Sequence, residues 1–346
     1  MLQNLIEHLT AQHPLSSEQI AAAVVGLVNS EIGVDLKADF LTALAQKGET
    51  VDEISGFAGE LRKLSVQPPV SAEIRSREIL DVCGTGGDRL NTFNISTTVA
   101  LVAAAAGVLV AKHGNRAITS QSGSADVLEE LGVPINLTPE QAMIALESHN
   151  FAFFLAANYH PAFKHIGPAR RLCAEKGQRT IFNFLGPLLN PVRPSAQLLG
   201  VARADLCEPV AGVLQALGVR RAMVVSGDAG EGRWLDELST LGETTIAEFY
   251  QSRAMASSRM NPADFFLNPA RLEDLAGGDR KQNAQIIRVI LSGEERGAKR
   301  DAVLLNAGAA LFVAATTKSI SEGMELAAEL IDSGAVSRKL TEICNG

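Results

Sequence analysis

Ile79-Leu80-Asp81-Val82-Cys83-Gly84-Thr85-Gly86-Gly87-Asp88 is an apolar run that flows straight into a glycine-rich turn ending on a carboxylate. The run reads as a strand, and the glycines mark a point where backbone amides can come close to an anion. Shortly after it stand Asn94-Ile95-Ser96-Thr97, Lys112-His113-Gly114-Asn115-Arg116 and Ser122-Gly123-Ser124-Ala125-Asp126. The hydroxyls supply donors, Lys112 and Arg116 supply charge, and Asp88 and Asp126 can hold a metal or a ribose hydroxyl. Together the four stretches predict the floor of a phosphate site. Two familiar nucleotide motifs are excluded. Arg89 stands where a dinucleotide fingerprint needs a small residue, and no Gly-Lys-Ser/Thr follows as a P-loop demands.

Outward from the turn, the pattern alternates between short apolar runs and helical periods. Strand Ile79–Cys83 leads to helix Thr97–Ala106, stopped by Gly107, then strand Val108–Lys112 and helix Ala125–Leu131, stopped by Gly132. Further strands are expected at Phe151–Leu155, Gln197–Val201 and Arg221–Ser226, and further helices at Leu206–Leu217, Ala302–Ala315, Ser321–Ser333 and Val336–Ile343. This order predicts an α/β fold with a mostly parallel sheet flanked by helices. The Gly84 turn and the Lys112 motif then open into one crevice at the carboxyl ends of their strands. Asn94, Ser96 and Thr97 fall at the mouth of a helix, where capping and anion binding use the same amides.

The first seventy or so residues read differently. Leu2, Leu5, Ile6 and Leu9 repeat with helical spacing, and Ser16–Val28, Leu36–Gln46 and Val51–Leu64 continue as amphipathic helices. Ser16 with Gln19 and Thr50 with Glu53 form capping-box patterns, while Gly33 and Gly48 are expected as stops. Pro68-Pro69 breaks the pattern, so a small helical domain over residues 1–73 is expected beside an α/β domain over 74–346. With 346 residues, two domains fit the length.

Composition narrows the function. The apolar fraction of 46% is rich in Ala and poor in aromatics, with 13 Phe, 2 Tyr and 1 Trp, which favours closely packed helices. A net charge of −8 argues against a nucleic-acid surface and for a small, locally captured phosphate ligand. Cys83, Cys173, Cys207 and Cys344 are too scattered for a zinc site or a disulfide framework, and no stretch is long and apolar enough for a membrane. The expectation is a cytoplasmic protein with no membrane partner.

Asp236-Glu237 follows an expected strand after a loop rich in Gly and acidic residues, and adjacent carboxylates of this kind suit Mg²⁺. Tyr159–Arg171 mixes aromatic, basic and turn residues and reads as a ligand-facing connection in which Arg170 or Arg171 can fork onto a carboxylate. Arg179–Asn183 leads to Leu185–Pro191, which reads as a rigid turn returning the chain to the sheet. His113 reads equally well as a structural residue or as a catalyst.

Over nearly its whole length the sequence resembles the anthranilate phosphoribosyltransferases, whose wider family includes pyrimidine nucleoside phosphorylases. The resemblance is carried by Gly84–Asp88, Asn94–Thr97, Lys112–Arg116, Ser122–Asp126, Arg170-Arg171, Arg179–Asn183, Asp236-Glu237 and Asp301–Ala307. It implies a hinged cleft, parts of 165–192 joining the helical domain, and a homodimer formed through that domain. It implies transfer of phosphoribose from phosphoribosyl diphosphate to the amine of anthranilate. By position, Gly84, Gly87, Asp88, Thr92, Asn94, Ile95, Ser96, Thr97, Lys112 and Ser124 would hold the diphosphate sugar. Ser96, Asp236 and Glu237 would take Mg²⁺, two ions per subunit, with Lys112, Asp236 and Glu237 as the catalytic set. Gly84, Asn115 and Arg170 would meet anthranilate. The stretch Ser226–Trp234 departs from the family by being longer and by carrying Ser226 where the family has a His. The rival readings are a nucleoside phosphorylase of the same fold and a non-enzymatic nucleic-acid-binding relative.

Overall fold

The computed structural model describes residues 1–117, 121–252, 254–267 and 270–345. Its strands are β1 (Ile79–Gly84), β2 (Leu109–Gly114), β3 (Phe151–Leu155), β4 (Ala196–Gly200), β5 (Arg221–Asp228), β6 (Trp234–Leu235), β7 (Thr244–Phe249) and β8 (Ala256–Met260). They form one sheet in the order β3-β2-β1-β4-β5-β7-β8, with β6 paired to β5. The first five strands are parallel, whereas β6, β7 and β8 add an antiparallel edge. The strand order reverses between β1 and β4, and that reversal leaves a crevice beyond Gly84 and Gly200, which face each other in register.

Helices cover both faces. On one face, helix Ile95–Ala105 and helix Ala298–Val313 bury Leu80, Val82, Val110, Leu198 and Met223. Small residues let these layers approach closely. A Cβ added to Gly308 would lie 2.6 Å from the Ile320 carbonyl, and one added to Gly323 would lie 2.6 Å from that of Gly308. The Ala-rich composition is thus expressed as close helix packing, as the sequence predicts.

The other face carries the N-terminal helices Leu2–Thr10, Ser17–Val28, Val34–Lys47 and Val51–Lys63, which share a core with Leu199, Val224 and Phe249 of the sheet. Both expected capping boxes form, Ser16 with Gln19 and Thr50 with Glu53. Gly48 ends its helix with φ +87, but Gly33 is an N-cap and does not stop the helix before it, which ends at Asn29. Two buried cations tie this bundle to the middle of the chain. Lys37 Nζ donates to the His165 carbonyl at 3.0 Å, and Arg62 Nε donates to that of Leu188 at 2.7 Å.

That middle segment departs from the sequence expectation. Residues 159–171 are not an irregular connection: helix Phe163–Glu175 runs through them with Pro168 inside, and the expected turn at Leu185–Pro191 begins as helix Phe182–Leu188 with Pro187 inside. Each proline removes one amide donor from its helix and is at home in turns as well, so the sequence reads as a connection although a helix forms. Helices Pro139–His149 and Arg280–Leu291 also lie beyond the expected set, although Thr138 with Gln141 and Asp279 with Gln282 are capping boxes. The stretch from Ser226 is no simple loop either. Residues 226–228 prolong β5, which pairs back onto β6 as a hairpin, Gly227 with Leu235 and Asp228 with Trp234.

Candidate active site

The crevice at the strand reversal is filled by Asp236. A Cβ on Gly200 would stand 1.5 Å from its carbonyl oxygen, and one on Gly84 would stand 2.2 Å from its Oδ2. Only glycine at these two strand ends lets the acidic pair sit against the sheet. Asp236 Oδ2 accepts the Gly86 amide at 2.7 Å. The turn beyond is held open by left-handed Gly86 and Gly87, φ +71 and +85. Asp88, at its end, neighbours Asp236, and burial raises the pKa of both, aided at Asp236 by the Asp88 charge. Thr92 bridges to Ala276, which fixes the far side of the turn.

Asn94 caps helix Ile95–Ala105 in position but makes no side-chain cap bond. The Ser96 amide instead donates to Glu237 Oε1 at 3.1 Å, so a carboxylate from a distant part of the chain meets the positive end of the helix. Ile95 is buried beneath it, and the hydroxyl of buried Thr97 has no hydrogen-bond partner among the described residues. Lys112, also buried, donates from Nζ to the Val82 carbonyl at 2.6 Å and to Ser96 Oγ at 3.4 Å. Burial lowers the Lys112 pKa, opposed by Asp81 first among its charged neighbours. Burial raises Glu237 well above the usual carboxylate range, reinforced by Asp236.

Asp88, Asp236 and Glu237 thus crowd three desolvated carboxyls against a few N–H donors and one ammonium, an arrangement that a divalent cation would relieve. Among the described residues no cage of three or more His, Cys, Asp or Glu side chains is assembled.

Two matches to sequence models of one family cover most of the chain: "Glycosyl transferase family, helical bundle domain" at residues 3–65 and "Glycosyl transferase family, a/b domain" at 76–337. The anthranilate phosphoribosyltransferase of Alkaliphilus metalliredigens is 44% identical over 343 residues, 99% of this chain and 97% of that protein. The chain belongs to the anthranilate phosphoribosyltransferase family. The Thermus thermophilus anthranilate phosphoribosyltransferase superposes with a TM-score of 0.89 at 39% identity, covering 99% of this chain and 98% of that one. The Saccharomyces cerevisiae anthranilate phosphoribosyltransferase in complex with PRPP and Mg does so at 0.87 and 27% identity, with 99% and 97% covered.

In this member of the anthranilate phosphoribosyltransferases, the Lys112 motif divides its labour. Asn115 accepts the Arg116 amide through Oδ1 at 2.8 Å, and Ser124 packs on Gly114, where a Cβ would lie 2.3 Å from its Oγ. Arg116 and Asp126 are engaged with the protein itself. Arg116 forks onto Glu129 at 2.9 Å and meets Asp126 at 3.1 Å, while Asp126 caps its helix through the Gly123 and Ala117 amides.

Arg170 is reached through a line of rings. Its guanidinium lies 4.9 Å over Phe182, Phe182 meets Phe163 at 5.6 Å, Phe163 meets His160 at 5.4 Å, and His160 meets His113 at 5.2 Å. His113 follows Lys112 in β2, so this line ties the Arg170 helix to the end of the sheet that carries Asn115.

Sequence reasoning missed Asp81. Fully buried, it accepts Asn190 Nδ2 at 2.9 Å and the His113 amide at 3.4 Å, and burial pushes its pKa up to about 6. A carboxylate in the middle of an apolar strand was the available signal.

Proposed function

We propose that the chain transfers the phosphoribosyl group of 5-phosphoribosyl 1-diphosphate to the amine of anthranilate, giving N-(5-phosphoribosyl)anthranilate and diphosphate, a step of tryptophan biosynthesis. The observation that carries this reading is the seating of Asp236-Glu237 at the strand reversal, against the Gly84–Asp88 turn and the Ser96 amide.

The residues have distinct tasks. Gly84, Gly87, Asp88, Thr92, Asn94, Ile95, Ser96, Thr97, Lys112 and Ser124 form the diphosphate-sugar side. Buried Lys112 meets the charge that grows on the leaving diphosphate as the C1–O bond breaks, in surroundings where one ammonium counts for more than in water. The first-turn amides of helix Ile95–Ala105 and the Thr97 hydroxyl, which has no partner among the described residues, add donors on the same side. Ser96, Asp236 and Glu237 would hold Mg²⁺, which when bound neutralises diphosphate oxygens. We assign two ions per subunit.

An arylamine is neutral near pH 7, so anthranilate needs placing more than deprotonating. Gly84 and Asn115 would line its site, and Arg170 would pair with its carboxylate, the geometry that suits a guanidinium. We take residues 1–73, with parts of 165–192, as a domain that moves against 74–346, and assembly as a homodimer through the helical bundle in the cytoplasm. Among the described residues no helix is long and apolar enough to cross a membrane.

The test is the loss of anthranilate fluorescence when the protein meets phosphoribosyl diphosphate and Mg²⁺. A metal-dependent decrease is expected. No decrease in folded protein, with phosphorolysis of uridine or thymidine instead, would transfer the site to the phosphorylase reading.

A further inference from the structure

Beside the crevice, on the outer side of Asp88, lies a cavity of about 480 Å³. Four guanidinium-bearing residues from four separate stretches line it: Arg89 from the glycine-rich turn, Arg179 from the approach to helix Phe182–Leu188, Arg203 from beyond β4, and Arg233 from the β5–β6 hairpin. Trp234 completes the wall, and it is the chain's only tryptophan. Arg203 pairs with Asp205, and Arg233 pairs with Glu231 at 3.0 Å, both acids outside the lining. Among the described residues Arg89 and Arg179 form no ion pair with a carboxylate. Arg89 also adopts φ +60, a left-handed backbone that a non-glycine residue takes only at some cost.

Arg89 and Arg179, which among the described residues meet no carboxylate, match a compact polyanion, because each fork can place two parallel N–H donors on phosphate oxygens, with Arg203 and Arg233 beside them. The excess of positive charge is local, in a chain whose net charge is −8. The cavity touches the proposed transfer site through Gly87 and Asp88, and Gly232, Arg233 and Trp234 of the β5–β6 hairpin line it as well.

We infer that this cavity is a second anion subsite, which takes inorganic diphosphate once it has left the transfer site. The inference rests on the reading above, in which diphosphate is released next to Asp88. Diphosphate held there lies outside the carboxylate pair and leaves by way of the arginines, so the Arg233 hairpin governs product release and product inhibition.

Trp234 reports directly on the cavity. Metal-free protein is titrated with inorganic diphosphate while the tryptophan fluorescence is followed, in the intact chain, in Lys112→Met and in Arg179→Gln/Arg233→Gln. The intact chain and Lys112→Met should show the same saturable change. The double variant should bind about tenfold more weakly or less, the loss expected for a charge-assisted hydrogen bond. It should keep its turnover within about twofold while diphosphate inhibits it less. Orthophosphate should not saturate over the same range. Circular dichroism checks folding, and Arg89→Gln replaces the double variant if that protein does not fold.

An unchanged fluorescence, equal binding by the arginine variants, loss of the change in Lys112→Met, or equal binding of orthophosphate would each overturn the subsite. If transfer persists in any of these cases, the proposed function stands without it. A normal titration in a protein that transfers nothing would instead overturn the leaving-group assignment.

Discussion

Single residues at the strand reversal set the chemistry, and glycine is the first of them. Gly200→Ala would drive a Cβ into the Asp236 backbone, since 1.5 Å separates the positions and backbone cannot swing aside as a side-chain tip can. The expected result is a stability loss of about 2–3 kcal/mol, read by denaturant unfolding, together with a fall in turnover as Asp236-Glu237 is displaced. Lys112→Met keeps the buried stem but removes the ammonium near Ser96. Its turnover should drop about 10²–10³-fold with the circular dichroism unchanged, by the magnitude that removal of one preorganised donor produces. Gly84, Asp88, Lys112, Asp236 and Glu237 were legible because each belongs to a short motif with one chemical purpose. For Arg116 and Asp126 residue type announces charge, whereas only the fold reveals that Glu129 and two backbone amides engage it.

At the scale of elements, the positive end of helix Ile95–Ala105 and the arginine on helix Phe163–Glu175 face the two ends of the proposed reaction. Arg170→Lys retains charge but loses the planar fork and its stacking on Phe182. Steady-state kinetics should show the KM for anthranilate raised about tenfold, with that for phosphoribosyl diphosphate unchanged. Equal rises in both would argue for a general disturbance of the helix that carries Arg170. Helices with capping boxes at Ser16 and Thr50 were read to within a residue or two, because the stop and start signals are local. The helix through 163–175 was not, since its prolines and mixed polarity mimic a connection and its stability comes from distant partners such as Lys37. The antiparallel edge at β7 and β8 was missed as well. β8 is largely exposed, so it lacks the apolar run by which the buried strands announce themselves.

For the molecule as a whole, the buried His113–His160 contact, Nε2 to Nε2 at 3.3 Å, joins β2 to the segment leading into helix Phe163–Glu175. Burial, aided by His160, pushes His113 down to about 3, and burial pushes His160 to about 4, against an ordinary 6.5. The unfolded chain therefore binds more protons between these limits, and folding stability rises with pH there. The melting temperature should fall steadily as pH drops below about 6.5, with the loss complete near pH 3, and His160→Phe should flatten that slope. A profile identical in the variant would remove the pair from the acid response. The fold class and the site's location were legible from the β-α order, whereas the cross-chain contacts that join the layers needed three dimensions. Asp236-Glu237 is assigned to the metal-bearing diphosphate substrate, and calorimetric titration with phosphoribosyl diphosphate tests that assignment. The intact protein should bind far more tightly with Mg²⁺ than without, and Asp236→Asn/Glu237→Gln should lose that difference while remaining folded; an undiminished Mg²⁺ dependence in the double variant would contradict the account.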